Sequence, residues 1–238
     1  MKKAISLLLL TSSTIFYGQS IMTPKSNSIE KKWIQNREYK MNWSIVKDTS
    51  KIELGTVTTK INKNKKHLMV ITSVELKKNT TQWIDTTIAD AKTLKPVYHS
   101  SYNQGRDMVI HYNDSITGYF FDKKKQTKKA IKEANPASYF DSNIYPLLIG
   151  WLPFKEGYSQ DISVYDYNPE NSGVKKASVL EVKSSIINVQ NKNHDVWQVK
   201  VKDEISNGES TYYFDKKNRS LLKQVIRGNG RELIFTLI

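Results

Sequence analysis

The sequence predicts a mainly β protein: a twisted antiparallel meander sheet or open half-barrel, built from two β-rich halves with one short helix between them. Three observations carry that expectation. Short runs that alternate apolar and polar residues recur about every ten positions, joined by Asn, Gly, Asp and Lys turns. One stretch, residues 140–167, instead carries its apolar residues at helical spacing. An aromatic hairpin sequence in the first half, YFFDKK at 119–124, returns in the second as YYFDKK at 212–217.

Residues 1–19 read as a signal peptide. Lys2 and Lys3 form a positive start, Ala4 to Leu10 an apolar run, and Gly18 a small residue near the cut. The run falls short of the roughly 20 apolar residues that a bilayer crossing needs, so no transmembrane span is expected. Residues 20–38 are polar with few apolar anchors and read as a loose N-terminal arm. A single β-rich domain then fills 39–238, its halves about 39–135 and 158–238, joined by a helix and turn at 139–157.

Strict alternation begins with Tyr39, Met41, Trp43 and Ile45 against Lys40, Asn42 and Ser44, the mark of a half-buried strand. Further strands are expected at 54–61, 67–76, 82–89, 96–102, 107–112 and 116–121. Residues 130–138, with Pro136, read as a lead into the joining stretch. There Ile144, Leu147, Leu148 and Trp151 fall on one helical face. Asp141 or Ser142 stands where a cap is wanted, and Pro146 is tolerated in a first turn. Gly150 and Pro153 end the helix, which reads as a rigid core plug. Ile162, Val164 and Tyr165 open the second half, followed by strands at 174–189, 197–205, 209–214, 221–226 and 231–237.

In the repeated hairpins each aspartate, Asp90, Asp122 or Asp215, can bond amides two or three residues on and close the turn. A lone carboxylate beside two lysines is a poor cation ligand, so the role expected is structural.

Composition narrows the chemistry. The chain has 238 residues, 38% of them hydrophobic, enough for an ample core. With no cysteine there are no disulfides, no thiolate nucleophile, no Cys-ligated metal and no site for lipoprotein acylation. The formal net charge is +14, with lysine clusters at 63–66, 77–78, 123–129 and 175–176. These clusters fall between strands, where lysines decorate turns and guard sheet edges. A basic surface also suits anionic lipid head groups, lipopolysaccharide or acidic glycans. Nucleic acid is not an expected partner, because an exported chain carries no recognisable binding motif for it. The sequence sets no oligomeric state.

No catalytic motif is present, and the four histidines show no metal spacing. His99 and Ser101 share a strand face, but a His-Ser pair lacking an orienting carboxylate and an oxyanion site is not a working nucleophile. The expectation is a protein that is no enzyme, with no cofactor and no metal; a hydrolase using His99 and Ser101 stands behind it. Trp43, Trp83, Leu147, Leu148, Trp151 and Trp197 are the candidate residues for either core or an apolar ligand cleft.

Taken together, the signal peptide, the meander, the DAKTLKP hairpin at 90–96, the central YPLLIGWLP block and the terminal YYFDKKNRSLLKQ block resemble exported bacterial proteins of domain of unknown function 3108. The resemblance covers about residues 33–237. That family is similar in strand-turn pattern to the periplasmic lipoprotein carrier LolA, whose relatives fold as an open half-barrel with a helical lid over an apolar cavity. The resemblance implies a periplasmic or secreted binding protein for a lipidic or anionic envelope ligand. A structural or interaction module of the envelope, docking through an exposed β-edge, is the alternative.

Overall fold

The computed structural model describes residues 20–47, 50–78, 82–135, 138–228 and 230–238. Residues 1–19, which the sequence reads as a signal peptide, and Pro136 lie outside them. A first meander runs through β1 (Arg37–Lys47), β2 (Ser50–Lys63), β3 (His67–Leu76) and β4 (Trp83–Asp90). It continues through β5 (Pro96–Tyr102), β6 (Arg106–Tyr112), β7 (Ser115–Asp122) and β8 (Thr127–Ala134). The chain then forms the two-residue β9 (Phe140–Asp141) and the helix α1 (Tyr145–Gly150). The second meander is β10 (Gln160–Asp166), β11 (Gly173–Val189), β12 (Lys192–Asp203), β13 (Glu209–Asp215), β14 (Leu221–Gly228) and β15 (Arg231–Leu237).

Pairing of β1 with β15, Met41 opposite Leu237 and Trp43 opposite Phe235, fuses both meanders into one sheet. Among the described residues its edges are β8 and β9, and every pairing but the parallel β9–β10 is antiparallel. The sheet curls until those edges approach, and side chains rather than a strand ladder close the seam. Glu133 on β8 accepts bonds from Tyr165 (2.8 Å) and Ser172 (2.7 Å). Lys129 Nζ donates to the Pro169 carbonyl (3.1 Å), and the rings of Tyr112, Tyr139 and Tyr165 pack on one another. The result is barrel-like and open in its hydrogen bonding.

Strand β8 is a regular strand that begins at Thr127, where the sequence offers only a lead-in at 130–138. Its sequence TKKAIKEA offers one buried apolar residue, Ile131, so periodicity had nothing to register. Lysine-rich, sparsely apolar strands are typical of sheet edges, where unpaired backbone must be guarded. Farther on, the strand expected at 197–205 spans β12 instead, and Ile205 lies past its end in a turn.

Two expectations are corrected. Residues 20–38 are not a loose arm: Met22, Ile29 and Ile34 are buried in the main core. Met22 bridges to β10, and the Glu30 amide donates to the Trp151 carbonyl (2.8 Å). Three apolar residues at wide spacing give no periodic signal, yet suffice to strap the segment across the helix. Nor does Asp141 or Ser142 cap α1. The N-cap position is Ile144, with no side-chain cap, and Pro146 occupies the first turn. Ile144, Leu148, Ile149, Trp151 and Leu152 are fully buried, while Leu147 is half-buried against the same core. Gly150 is required by packing, since a Cβ there would stand 2.7 Å from the Phe214 ring.

The aspartate turns form as the sequence implies. Asp122 Oδ1 accepts the amides of Lys124 (2.9 Å) and Lys125 (3.0 Å), and Asp215 Oδ1 those of Lys217 (2.8 Å) and Asn218 (3.2 Å). Asp90 does the same for Lys92 and Thr93. Four residues after each aspartate the backbone turns left-handed, at Leu94, Gln126 and Arg219 (φ 62°, 55° and 59°). Asp203 and Asn207 repeat the device between β12 and β13.

Candidate functional site

Alternation along the strands selects what faces the inside of the curl. Thr87, His99 and Ile110 stand side by side on β4, β5 and β6, and Asp85, Ser101 and Met108 form the next row. Phe140 and Asp141 cross this inner face on the way to α1. Asp141 is fully buried and its oxygens are engaged from four sides. Oδ1 accepts from the Thr87 hydroxyl (2.9 Å) and the Asn143 amide (2.9 Å). Oδ2 accepts from the Tyr112 hydroxyl (2.9 Å) and lies 2.8 Å from His99 Nδ1. The Asn143 side-chain amide returns to the Thr87 hydroxyl (3.1 Å), closing the network.

Electrostatics follow from that geometry. Burial acts to lower the His99 pKa, but the Asp141 charge and hydrogen bond outweigh it and hold the imidazole above its ordinary 6.5. Burial likewise acts to raise the Asp141 pKa, yet His99, Tyr112 and Thr87 together pull it below 3.8. Each shift favours the charged form of its own group, an imidazolium beside a carboxylate. Burial, reinforced by Asp141, drives the Tyr112 pKa far up, so its hydroxyl stays a donor.

Beside this network opens a cleft of about 440 Å³. Met108, Ile110, Phe120, Tyr167, Ile205 and Ile226 give it apolar walls. His99 lines it too, and with Nδ1 committed to Asp141, Nε2 is the nitrogen left to face it. Arg106 stands at one end, shared with a second groove under Trp83, as is Phe120. Its guanidinium donates through Nε (3.2 Å) and Nη2 (3.1 Å) to the Ser101 hydroxyl. Among the described residues it makes no ion pair. Of the lining carboxylates, Asp203 is bonded by Tyr145 (2.7 Å) and by the turn amides of Ile205 and Ser206. Asp85 is bonded by the Trp83 indole (2.8 Å). Asp166 has no side-chain partner among the described residues.

None of the six residues picked from the sequence lines the cleft. Leu148 and Trp151 are fully buried in the main core, and Leu147 and Trp197 pack against it. Trp43 stacks on Phe235 (5.9 Å) and lines a separate groove of about 410 Å³, which meets the cleft at Ser206 and Ile226. Trp83 stands behind the wall, holding Asp85. His99 and Ser101 do share the inner face, and Asp141 supplies the carboxylate the sequence seemed to lack. Ser101 is nevertheless bonded to Arg106, and no hydrogen bond joins it to His99. The Asp141 partnership spans 42 residues of sequence to His99 and 54 to Thr87, beyond the reach of any local motif.

Curled sheet, strapped helix and half-polar interior define a barrel-like β domain. In keeping with this, the structure is similar to a beta-barrel-like protein of domain of unknown function DUF1849 from Brucella abortus. The TM-score is 0.51 at 10% identity, over 84% of this chain and 95% of that one. This is a likeness of fold alone. The chain itself belongs to the family described as protein of unknown function DUF3108, whose model matches residues 38–231. No curated protein matches it.

Proposed function

We propose that the chain is an exported, non-enzymatic binding protein of the cell envelope, in the periplasm or medium, that holds an amphipathic ligand with an acidic head group in the interior cleft. One observation carries this reading: an apolar-walled cleft of about 440 Å³ ends on a guanidinium that has no carboxylate partner among the described residues. The volume lies within the roughly 300–1,000 Å³ of small-molecule sites, and the mix of apolar wall and few polar groups is typical of them. Half-buried beside an apolar wall, Arg106 favours a carboxylate or phosphate monoanion held by two parallel bonds. Of the three lining aspartates, Asp85 and Asp203 have oxygens engaged by protein donors, and Arg106 is the lining cation without an ion pair among the described residues. A working nucleophile is not supported, because Ser101 is engaged by Arg106.

Titration with the fluorescent fatty acid cis-parinaric acid tests the reading. Saturable uptake is expected, displaced by oleate and not by dodecylamine. Ile226→Trp, which fills the cleft, should abolish uptake, and Arg106→Gln should weaken it about tenfold, the loss of one charge-assisted contact. Absence of uptake, displacement by the amine, or uptake indifferent to both substitutions would overturn it.

A further inference from the structure

The outer face of β3–β7 is as regular as the inner one and has no cover among the described residues. In one register row Met69, Ile88 and Tyr98 stand abreast and lead through His111 and Thr117 to Lys132. In a second, Ile84 and Tyr102 lead through Asp107 and Phe121 to Lys128. Between them Val109 and Tyr119 lie side by side. These apolar residues are half-buried, and Tyr102 is 39% exposed. The arm, α1 and β9 all pack on the opposite face, against residues such as Leu68, Val70 and Ala89. Contiguous apolar sheet faces of this size mark contact surfaces.

Charge identifies the partner. Asp107, the one carboxylate in these rows, is paired with Lys123 (2.6 Å). Lys124, Lys125, Lys128 and Lys132 border the face and make no ion pair among the described residues. Lys65 and Lys66 stand exposed at the turn beyond Met69. Lys128 Nζ lies over the Tyr119 ring, 4.4 Å from its centroid, a cation–π contact at the border of the face. Tyrosines with an apolar body and polar tip, ringed by free lysines, match the boundary between lipid head groups and acyl chains. A second copy of the chain would bring the same lysines together, and the net charge of +14 adds to that repulsion.

We infer that the outer face of β3–β7 docks on an anionic lipid bilayer, tyrosines at head-group level and the β7–β8 lysines against lipid phosphates. The inference does not depend on what the cleft holds.

Co-sedimentation with vesicles of phosphatidylglycerol and phosphatidylcholine, against phosphatidylcholine alone, is the test. Binding to the anionic vesicles only, weakening with salt, is expected. Tyr102→Asp should weaken it, and changing Lys124, Lys125, Lys128 and Lys132 to Glu should cost at least about tenfold. Changing the equally exposed Lys155, Lys192, Lys202 and Lys217 to Glu makes the same charge change away from this face and should cost much less. Melting curves check that each variant folds. Failure to bind anionic vesicles, or equal loss from both charge reversals, would overturn the inference. So would a dimer in sedimentation velocity that Tyr102→Asp dissolves, because a second copy would then cover the face.

Discussion

Two parts of the barrel interior are filled by opposite means, although only two residues separate Asp141 from Ile144. On the helix side Ile144, Leu148, Ile149 and Trp151 are fully buried and meet apolar residues of both meanders, among them Val70 and Val199. Such a region gains from every buried methylene and tolerates no void. On the cleft side the wall is a charged pair with its hydrogen bonds satisfied by β4, β5 and β6, next to open space. A buried pair adds little net stability, since desolvation offsets the attraction, but breaking it is costly. Its use here is positional. Thr87, His99 and Tyr112, on three adjacent strands, are pinned to one carboxylate, which holds the wall in place without filling the cleft.

Asp141→Asn should have the largest effect, because it leaves the His99 imidazole buried without its counter-charge. A loss of about 3–5 kcal/mol is expected in urea unfolding near neutral pH. The pH profile sharpens the point. With its folded pKa raised, His99 contributes stability that is fully present below 6.5 and fades as pH rises through the folded value. Asp141, lowered from 3.8, contributes above 3.8 and loses that contribution as pH falls through its folded value. The pair therefore stabilises most between those two ordinary values, and Asp141→Asn should flatten the decline above pH 6.5. A wild-type profile already flat there would show that the pair is not ionic.

Leu148→Ala probes the helix side and should cost about 2–5 kcal/mol through lost burial and a cavity. Unlike Asp141→Asn, it should leave the shape of the pH profile unchanged. An unchanged melting temperature would instead mean that α1 docks weakly and moves as a lid.

The contrast also explains what the sequence could reveal. Most strands were legible because half-buried strands must alternate, and the ends of β3, β5 and β15 fall where alternation stops. The helix side was legible for the same reason, its apolar residues repeating at helical spacing. The cleft side was not. Asp141 looked like a local cap, and it does bond the Asn143 amide two residues on; its partners on β4, β5 and β6 are brought by tertiary folding. The tryptophans were open to core or cleft; Trp151 is buried in the core and Trp197 packs against it, while tyrosines, Phe120 and polar residues line the cleft. Arg106 carried no signal at all, because its significance is the lack of an ion pair among the described residues.

The smallest expected effects separate the two sides once more, through one turn device used twice. Asp203 closes the β12–β13 turn from a buried position and also receives the Tyr145 hydroxyl at the first residue of α1. Replacing it with Ala removes the acceptor of that buried hydroxyl as well as of two part-buried turn amides, so about 1–3 kcal/mol should be lost. Asp122 closes the β7–β8 turn with the same pair of amide bonds, but in solvent, where water can take over both. Asp122→Ala should therefore lower the melting temperature less than Asp203→Ala does. Neither change should abolish ligand uptake. Equal losses from the two substitutions would mean that the turn bonds alone set the cost, and that the Tyr145 contact joining helix to cleft contributes nothing measurable.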